Sequence, residues 1–234
     1  SLASRWRGRW WPRSLFGGSS LIVYPSMELL LIRHALPVRR ELDAGIADPE
    51  LSDEGHEQAR HLGQYLASEH LHAVYASSLQ RAKQTAVPVA DGRDLSIVIE
   101  PDVAEYDKNS PEYVPVEELK ATNDPRWIAM LDGIWEQDGE DEATFNARTI
   151  GAIERIIGDH RGERVAIVCH GGVINAYLTH ILDLDVGSRG FFYPNYTSIH
   201  RVAAASSGER SIVTINETSH LRGTGLPMGL FQKG

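Results

Sequence analysis

The sequence predicts an α/β fold of the three-layer sandwich type, with a mostly parallel sheet flanked by helices. Short apolar runs, typical of strands buried on both faces, alternate with longer segments of helical periodicity. The chain has 234 residues, of which 42% are hydrophobic and 24% charged, so it is long and apolar enough for a sizeable core. No internal repeat or low-complexity segment is visible, and a single domain over residues 27–234 is therefore expected.

The elements are predicted in chain order. The apolar run Glu28–Ile32 predicts the first strand, and Ser52 is the candidate N-cap of a helix that reaches Ser68. Ser78 is the candidate cap of a second helix, which is expected to end at about Val87 because Pro88 follows. The same reasoning predicts the remaining elements: strands at Ala73–Ala76, Ser96–Ile99 and Val165–Val168, helices at Thr144–Ile157 and Val173–Leu182, and closing strands at Ser198–Ala204 and Ser211–Ile215.

Charge is distributed unevenly along the chain. Residues 1–26 contain four arginines, three tryptophans and no acidic residue, which predicts a basic N-terminal extension before a domain that starts at Met27. A membrane-surface segment is the alternative, because Trp and Arg favour interfaces. Residues 100–142 contain fourteen acidic and three basic residues, which predicts an acidic, cap-like insertion over the sheet. The net charge of −9 argues against a nucleic-acid-binding protein, because such a protein should present a basic face.

Two further classes are excluded by simple counts. No apolar run approaches the ~20 residues that a membrane-spanning helix needs. The single cysteine, Cys169, excludes a disulfide framework and favours a reducing, cytoplasmic location. Because Cys169 lies inside an apolar run, an inert buried thiol is expected, with a reactive thiolate beside His170 as the alternative.

Two histidines occupy equivalent positions in the predicted sheet. His34 and His170 each follow an apolar strand, and ligands bind at the carboxyl ends of parallel strands. Arg33 precedes His34, and Arg81 lies in the first turn of the helix after the second strand. Gly171 follows His170 at the start of a predicted helix, and the N-terminal amides of a helix favour an anion. These residues predict an oxyanion site, and phosphate is the expected ligand.

The order and spacing of six segments resemble the histidine phosphatase superfamily, the phosphoglycerate mutase-like proteins. The segments are distributed over residues 28–221, which is most of the chain, and the resemblance implies the three-layer phosphoglycerate mutase-like fold. They are Leu29–Ala35 with its Arg33-His34 pair, Asp48–Ala59, Ser77–Ala86, Asp138–Glu140 before a helix with Arg148, Val168–Ile174 and Ile215–Leu221.

The resemblance implies a role for each matching residue. His34 is the expected nucleophile that takes up the phosphoryl group as a phosphohistidine. Arg33, Arg81 and His170 are the expected ligands of the phosphoryl oxygens. A neutral imidazole is a good nucleophile near pH 7. The cations stabilise charge on the transferring group, so no metal or other cofactor is expected.

A general acid is expected in the loop after the third strand. Glu105 lies where the family keeps this residue, and a carboxylic acid there would protonate the leaving alkoxide and later activate water. Three nearby carboxylates are alternatives: Glu100, Asp102 and Asp107.

The sequence departs from the family pattern just after the nucleophile. Ala35 stands where the family usually has Gly, and it should fit unless the backbone needs a positive φ. Pro37 and Arg40 stand where many members carry Ser or Thr and then Asn. Arg40 is expected to add a cation to the phosphate site, with Arg39 as the alternative.

The expected function is that of a metal-independent phosphatase acting on a small phosphorylated substrate. A phosphoglycerate mutase is the alternative, but the family's mutases carry Glu-Arg-x-Tyr-Gly around the acid, whereas residues 105–109 read Glu-Tyr-Asp-Lys-Asn. A non-catalytic phosphate-binding protein is the alternative from another class, and the intact Arg33, His34, Arg81 and His170 argue against it. Dimers are common among proteins resembling this one, so a homodimer is an expected assembly.

Overall fold

The computed structural model describes residues 26–132, 140–185, 190–229 and 234. Eight strands are present in this part of the chain: β1 (Met27–Arg33), β2 (Arg40–Glu41), β3 (Ala73–Ala76), β4 (Ile97–Ile99), β5 (Glu112–Tyr113), β6 (Arg164–Cys169), β7 (Ile199–Ala204) and β8 (Arg210–Glu217). Six of them form one sheet in the order β4-β3-β6-β1-β7-β8, in which only β7 runs against the others. The predicted mostly parallel sheet is therefore confirmed.

Helices cover both faces of this sheet. The described helices are α1 (Asp53–Leu66), α2 (Gln80–Ala90), α3 (Val116–Ala121), α4 (Pro125–Asp132), α5 (Glu142–Asp159) and α6 (Gly171–Leu182). Leu30 and Ile32 of β1 pack in the cluster that contains the apolar residues of α1 and α2. Leu29 and Leu31 pack in the cluster that contains those of α5 and α6. Because both faces of β1 are buried, the strand is apolar apart from Glu28 and Arg33, which are only partly buried.

The start of α1 agrees with the sequence, and the start of α2 does not. Ser52 Oγ accepts a hydrogen bond from the backbone N–H of Gly55 at 3.0 Å, as predicted for an N-cap. The expected cap at Ser78 is wrong, because α2 begins two residues later, at Gln80. The backbone N–H of Gln80 donates to Asp48 Oδ1 at 2.7 Å, so a residue distant in sequence caps this helix.

The predicted end of α2 is also wrong. Pro88 lies inside the helix, which continues to Ala90. Proline in the last turn removes only one helical hydrogen bond, and tertiary packing holds the turn in place. Gly63 of α1 contributes to this packing, because a Cβ at residue 63 would lie 2.4 Å from Pro88 O. The close approach of the two helices therefore requires glycine at that position.

The acidic segment folds beside the main sheet. Its described residues, 100–132 and 140–142, form two 3₁₀ turns, β5, α3, α4 and the start of α5. Strand β5 pairs antiparallel with β2, and this places Tyr113 opposite Arg40. The prediction of a basic extension concerns residues 1–26, of which 1–25 lie outside the described residues, so it stays a prediction. Within the described ranges, no helix is both long and apolar enough to cross a membrane.

Candidate active site

The two predicted histidines meet at the carboxyl edge of the sheet. Strands β1 and β6 are parallel neighbours, with Arg33 opposite Cys169, so the residues that follow them leave the sheet side by side. The backbone N–H of His34 donates to Cys169 O at 2.9 Å, and the ring centroids of His34 and His170 are 5.1 Å apart. Both side chains are buried, with 3% and 0% of their surface exposed.

The backbone fixes the tautomer of His34. Its Nδ1 lies 2.7 Å from Ala35 O, and a carbonyl oxygen can only accept a hydrogen bond. The proton is therefore on Nδ1, and Nε2 keeps its lone pair. Burial, together with the charges of Arg81 and Arg33, holds the pKa of His34 well below its usual value. The ring is neutral at pH 7 and can act as a nucleophile through Nε2.

Four buried nitrogens around the histidines lack a hydrogen-bond partner among the described residues. They are Nε of Arg33, Nε and Nη1 of Arg81, and Nδ1 of His170. We call these four nitrogens together the phosphate cradle. Leaving buried donors unsatisfied costs about 1–3 kcal/mol for each group, and more for charged groups. A phosphoryl group, with its anionic oxygens, is the chemical group that would satisfy several such donors at once.

Each cradle arginine is anchored at one end of its guanidinium group. Arg33 Nη1 donates to Pro194 O at 2.8 Å, and its Cζ lies 4.1 Å from the ring centroid of Tyr196. Arg81 Nη2 donates to both carboxylate oxygens of Asp107, at 2.7 and 3.0 Å. These contacts fix the orientation of both groups before a ligand binds, which reduces the entropic cost of binding.

Glu105 is docked on the N-terminus of α6. Its Oε2 accepts a hydrogen bond from the backbone N–H of Gly172 at 2.7 Å, and its Oε1 accepts one from Tyr106 at 3.1 Å. Burial first, and the charge of Asp107 second, raise the pKa of Glu105 above its usual value. The proton of this carboxyl group is therefore retained to higher pH, as a general acid requires.

The three alternative acids lie in different surroundings. Glu100 pairs with Arg155 at 2.8 Å, and Asp102 lies 3.8 Å from the same guanidinium group. Asp107 is the ion-pair partner of Arg81. Of the four carboxylates, Glu105 is the one that the structure places against α6, beside His170.

The comparisons with known proteins agree with this geometry. Residues 29–218 match the histidine phosphatase superfamily (branch 1). The chain is 31% identical over 205 residues to phosphoserine phosphatase 1 of Hydrogenobacter thermophilus, an alignment that covers 83% of this chain and 94% of that protein. The chain belongs to the histidine phosphatase superfamily.

Other known proteins are similar at lower sequence identity. A protein of Erwinia tasmaniensis described as a probable phosphoglycerate mutase is 26% identical over 210 residues, with 86% of this chain and 97% of that protein covered. A crystal structure of a phosphoserine phosphatase mutant from Entamoeba histolytica, in complex with phosphoserine, superposes with a TM-score of 0.65. It is 21% identical and covers 83% of this chain and 99% of that one, so it supports the fold.

Two of the predicted binding residues of this histidine phosphatase differ in their surroundings. Arg40 Nη2 lies 2.8 and 2.6 Å from the two carboxylate oxygens of Glu50, so its charge is already matched by a carboxylate. Gly171 is the first residue of α6, and a Cβ added there would lie 4.0 Å from Arg33 Nε. Gly171 thus adjoins the phosphate cradle. The guanidinium group of Arg40 is instead hydrogen-bonded to Glu50, in an ion pair of two half-exposed side chains.

Two smaller expectations are confirmed. Ala35 is fully buried and is not among the described residues with positive φ, so alanine fits where the family usually has glycine. Cys169 is buried, and burial raises the pKa of its thiol, as expected for an unreactive core cysteine. In the described ranges, no group of three or more His, Cys, Asp or Glu residues is placed to hold a metal ion.

Sequence reasoning missed several residues that shape the site. Thr85 Oγ1 accepts a hydrogen bond from the backbone N–H of Ala35 at 2.9 Å and thereby holds the residue whose carbonyl contacts His34. Arg148 donates to the carbonyls of Asp102 and Ala104, at 2.7 and 2.8 Å, and supports the loop that carries Glu105. Both residues lie in segments that resemble the family, so the motifs pointed to them without revealing these contacts.

The wall of the site formed by the acidic segment was also missed. Glu117 of α3 accepts hydrogen bonds from the hydroxyls of Tyr193 and Tyr196, at 3.1 and 3.0 Å. Tyr113 of β5 lies under Arg81, whose Cζ is 4.7 Å from the ring centroid. Glu117 and its two tyrosine partners are at least 76 positions apart in the sequence, so no local sequence pattern predicts these contacts.

Proposed function

We propose that this chain hydrolyses a phosphomonoester in two steps through a phosphohistidine at His34. In the first step His34 Nε2 attacks phosphorus, the bond from phosphorus to the ester oxygen breaks, and Glu105 gives its proton to the leaving oxygen. In the second step water attacks phosphorus, the phosphorus–nitrogen bond breaks, and Glu105 takes a proton from that water. The products are an alcohol and inorganic phosphate.

One observation carries this proposal more than any other. The hydrogen bond from His34 Nδ1 to Ala35 O leaves Nε2 as the lone-pair nitrogen, in a buried site that also holds three unpartnered guanidinium nitrogens and the unpartnered Nδ1 of His170. A nucleophile beside preorganised donors is the arrangement that phosphoryl transfer needs, because catalysis of this reaction is mostly positioning and charge stabilisation. Arg33 and Arg81 supply that charge, so we propose that the reaction proceeds without a metal cofactor.

The proposed substrate is a small phosphorylated metabolite. The relative from Hydrogenobacter thermophilus is named a phosphoserine phosphatase, which makes phosphoserine the first compound to test. A mutase is the second candidate, since the Erwinia tasmaniensis relative is described as one. The loop that carries Glu105 favours hydrolysis, because Tyr106 stands where the mutases of the family carry an arginine, so this position supplies no cation for a second anionic group.

The test is a screen of phosphorylated metabolites for released phosphate, run with EDTA present. We expect phosphate release from at least one alkyl phosphate, and no transfer activity with 3-phosphoglycerate and bisphosphoglycerate. His34→Ala should abolish release, whereas His56→Ala, which changes an exposed histidine of α1, should not. Mutase activity that exceeds phosphate release on every compound would reverse the assignment.

The remaining expectations about this protein stay predictions. They are the cytoplasmic location, the homodimer, the contribution of Arg40 to binding and the separate status of residues 1–26. Light scattering of the purified chain at several concentrations tests the homodimer directly.

A further inference from the structure

Ser77 and His170 form a buried side-chain pair at the edge of the phosphate cradle. Neither residue is exposed, and His170 Nε2 lies 2.7 Å from Ser77 Oγ. The other ring nitrogen, Nδ1, is the one that belongs to the cradle and has no partner among the described residues. The chemistry that His170 offers to a ligand therefore depends on which of its nitrogens carries the proton.

The surroundings of Ser77 fix the direction of this hydrogen bond. The backbone N–H of Leu79 donates to Ser77 Oγ at 3.3 Å, so this oxygen already accepts one hydrogen bond. The Ser77 hydroxyl needs an acceptor of its own, and in the described part of the chain His170 Nε2 is the acceptor that it contacts. When the hydroxyl donates to Nε2, the proton of a neutral imidazole is on Nδ1.

His170 is neutral, so its tautomer decides how it binds. Burial, and then the charge of Arg81, hold the pKa of His170 well below its usual value. A neutral ring with its proton on Nδ1 donates a hydrogen bond to a phosphoryl oxygen. A neutral ring with its proton on Nε2 would present a lone pair to that oxygen, which is repulsive.

We propose that Ser77 is a positioning residue that holds His170 in the Nδ1–H tautomer, so that His170 binds phosphate as a neutral donor. The proposal rests on the proposed function, because it assigns the ligand of the cradle as a phosphoryl group. A neutral donor adds a hydrogen bond without a third positive charge beside His34, whose ring centroid is 5.1 Å away. The nucleophile is therefore kept neutral while the phosphoryl group is held.

The test combines ring ¹⁵N NMR with phosphate binding by the full chain. We expect the neutral Nδ1–H pattern for His170, assigned by comparison with His170→Asn, in the wild-type protein. Ser77→Ala should shift this pattern and weaken binding of inorganic phosphate by about 10- to 100-fold, the range for one hydrogen bond to a charged group. Ser77→Thr keeps a hydroxyl and should retain both properties. Ser78→Ala is the matched control and should leave both unchanged.

Two results would overturn the inference. One is a wild-type ring that carries its proton on Nε2, which can be measured even if no Ser77 variant folds. The other is a folded Ser77→Ala protein with the wild-type ring pattern and phosphate affinity. If the chain still releases phosphate from an ester, either result rejects only the inference about Ser77 and leaves the proposed function standing. An Nδ1–H ring in a chain that binds phosphate without hydrolysing any ester supports the inference and rejects the proposed function.

Discussion

A methyl group at Gly172 should displace the proposed general acid without altering its chemistry. A Cβ at residue 172 would lie 2.2 Å from Glu105 Oε1 and 3.0 Å from its Cδ, whereas ordinary contacts begin near 3.4 Å. The carboxyl group of Glu105 must therefore move by about 1 Å, and a misplacement of that size can cost about 10²-fold in rate. We expect Gly172→Ala to slow phosphoryl transfer from an alkyl phosphate by about 10²-fold.

The leaving group separates this effect from a general loss of structure. An alkoxide needs a proton to leave, whereas p-nitrophenolate is stable without one, so transfer from p-nitrophenyl phosphate should be slowed much less. Transfer must be measured as a pre-steady-state burst, because Glu105 is also proposed to activate water in the second step. Glu105→Gln removes the proton altogether and sets the upper limit, about 10²–10⁴-fold for the alkyl ester.

A matched substitution controls for the added methyl group. A Cβ at Gly151 of α5 would have no neighbouring atom within 4 Å, so Gly151→Ala adds the same methyl group to a helix without displacing any neighbour. This variant should keep the wild-type burst with both substrates. An unchanged burst with the alkyl phosphate in Gly172→Ala, or equal losses with both substrates, would refute the placement of Glu105.

Other parts of the structure lead to three more predictions. Burial and Arg81 hold the pKa of His34 well below 6.5, so protonation of His34 should not lower kcat/KM for an alkyl phosphate as the pH falls through 6.5. After correction for substrate ionisation, kcat/KM should fall on the alkaline side, because Glu105 loses its proton there. A loss of kcat/KM as the pH is lowered through 6.5 would contradict this prediction. Asp107→Asn removes a charge that raises the pKa of Glu105, so the alkaline fall should move to lower pH; no movement would count against it. Ser52→Ala removes the cap of α1 and should lower the urea unfolding free energy by about 0.5–2 kcal/mol, whereas an unchanged midpoint would show that the cap contributes nothing.

The fold was predictable where the relevant forces are local or repeat along the chain. The apolar run of β1 indicated burial on both faces, and the observed alternation of Leu29 and Leu30 between two clusters explains why. Ser52 precedes α1 and caps it through a contact three residues away, which a sequence pattern can reveal. Ser78 occupied a similar position before α2, but Asp48, 32 residues before Gln80, makes the capping contact.

The candidate site, like the fold, was predictable where local patterns decide and not where contacts join residues distant in sequence. His34 and His170 could be paired from the sequence because both follow parallel strands, and such strands end at one edge of a sheet. The docking of Glu105 on α6 joins residues 67 positions apart, and the contact of Glu117 with two tyrosines depends on how the acidic segment folds back. Contacts of this kind depend on tertiary packing, so only the resemblance to a family suggested Glu105, and nothing suggested Glu117.

The most direct test of the account is rapid-quench labelling with a substrate that carries a radioactive phosphoryl group. The wild-type chain should trap an adduct that is acid-labile and base-stable, as expected for phosphohistidine, and peptide mapping should place it on His34. His34→Ala should trap none, whereas Glu105→Gln should still form the adduct, more slowly. A His34→Ala chain that turns over substrate at the wild-type rate, or an adduct that maps to another residue, would contradict the central claim.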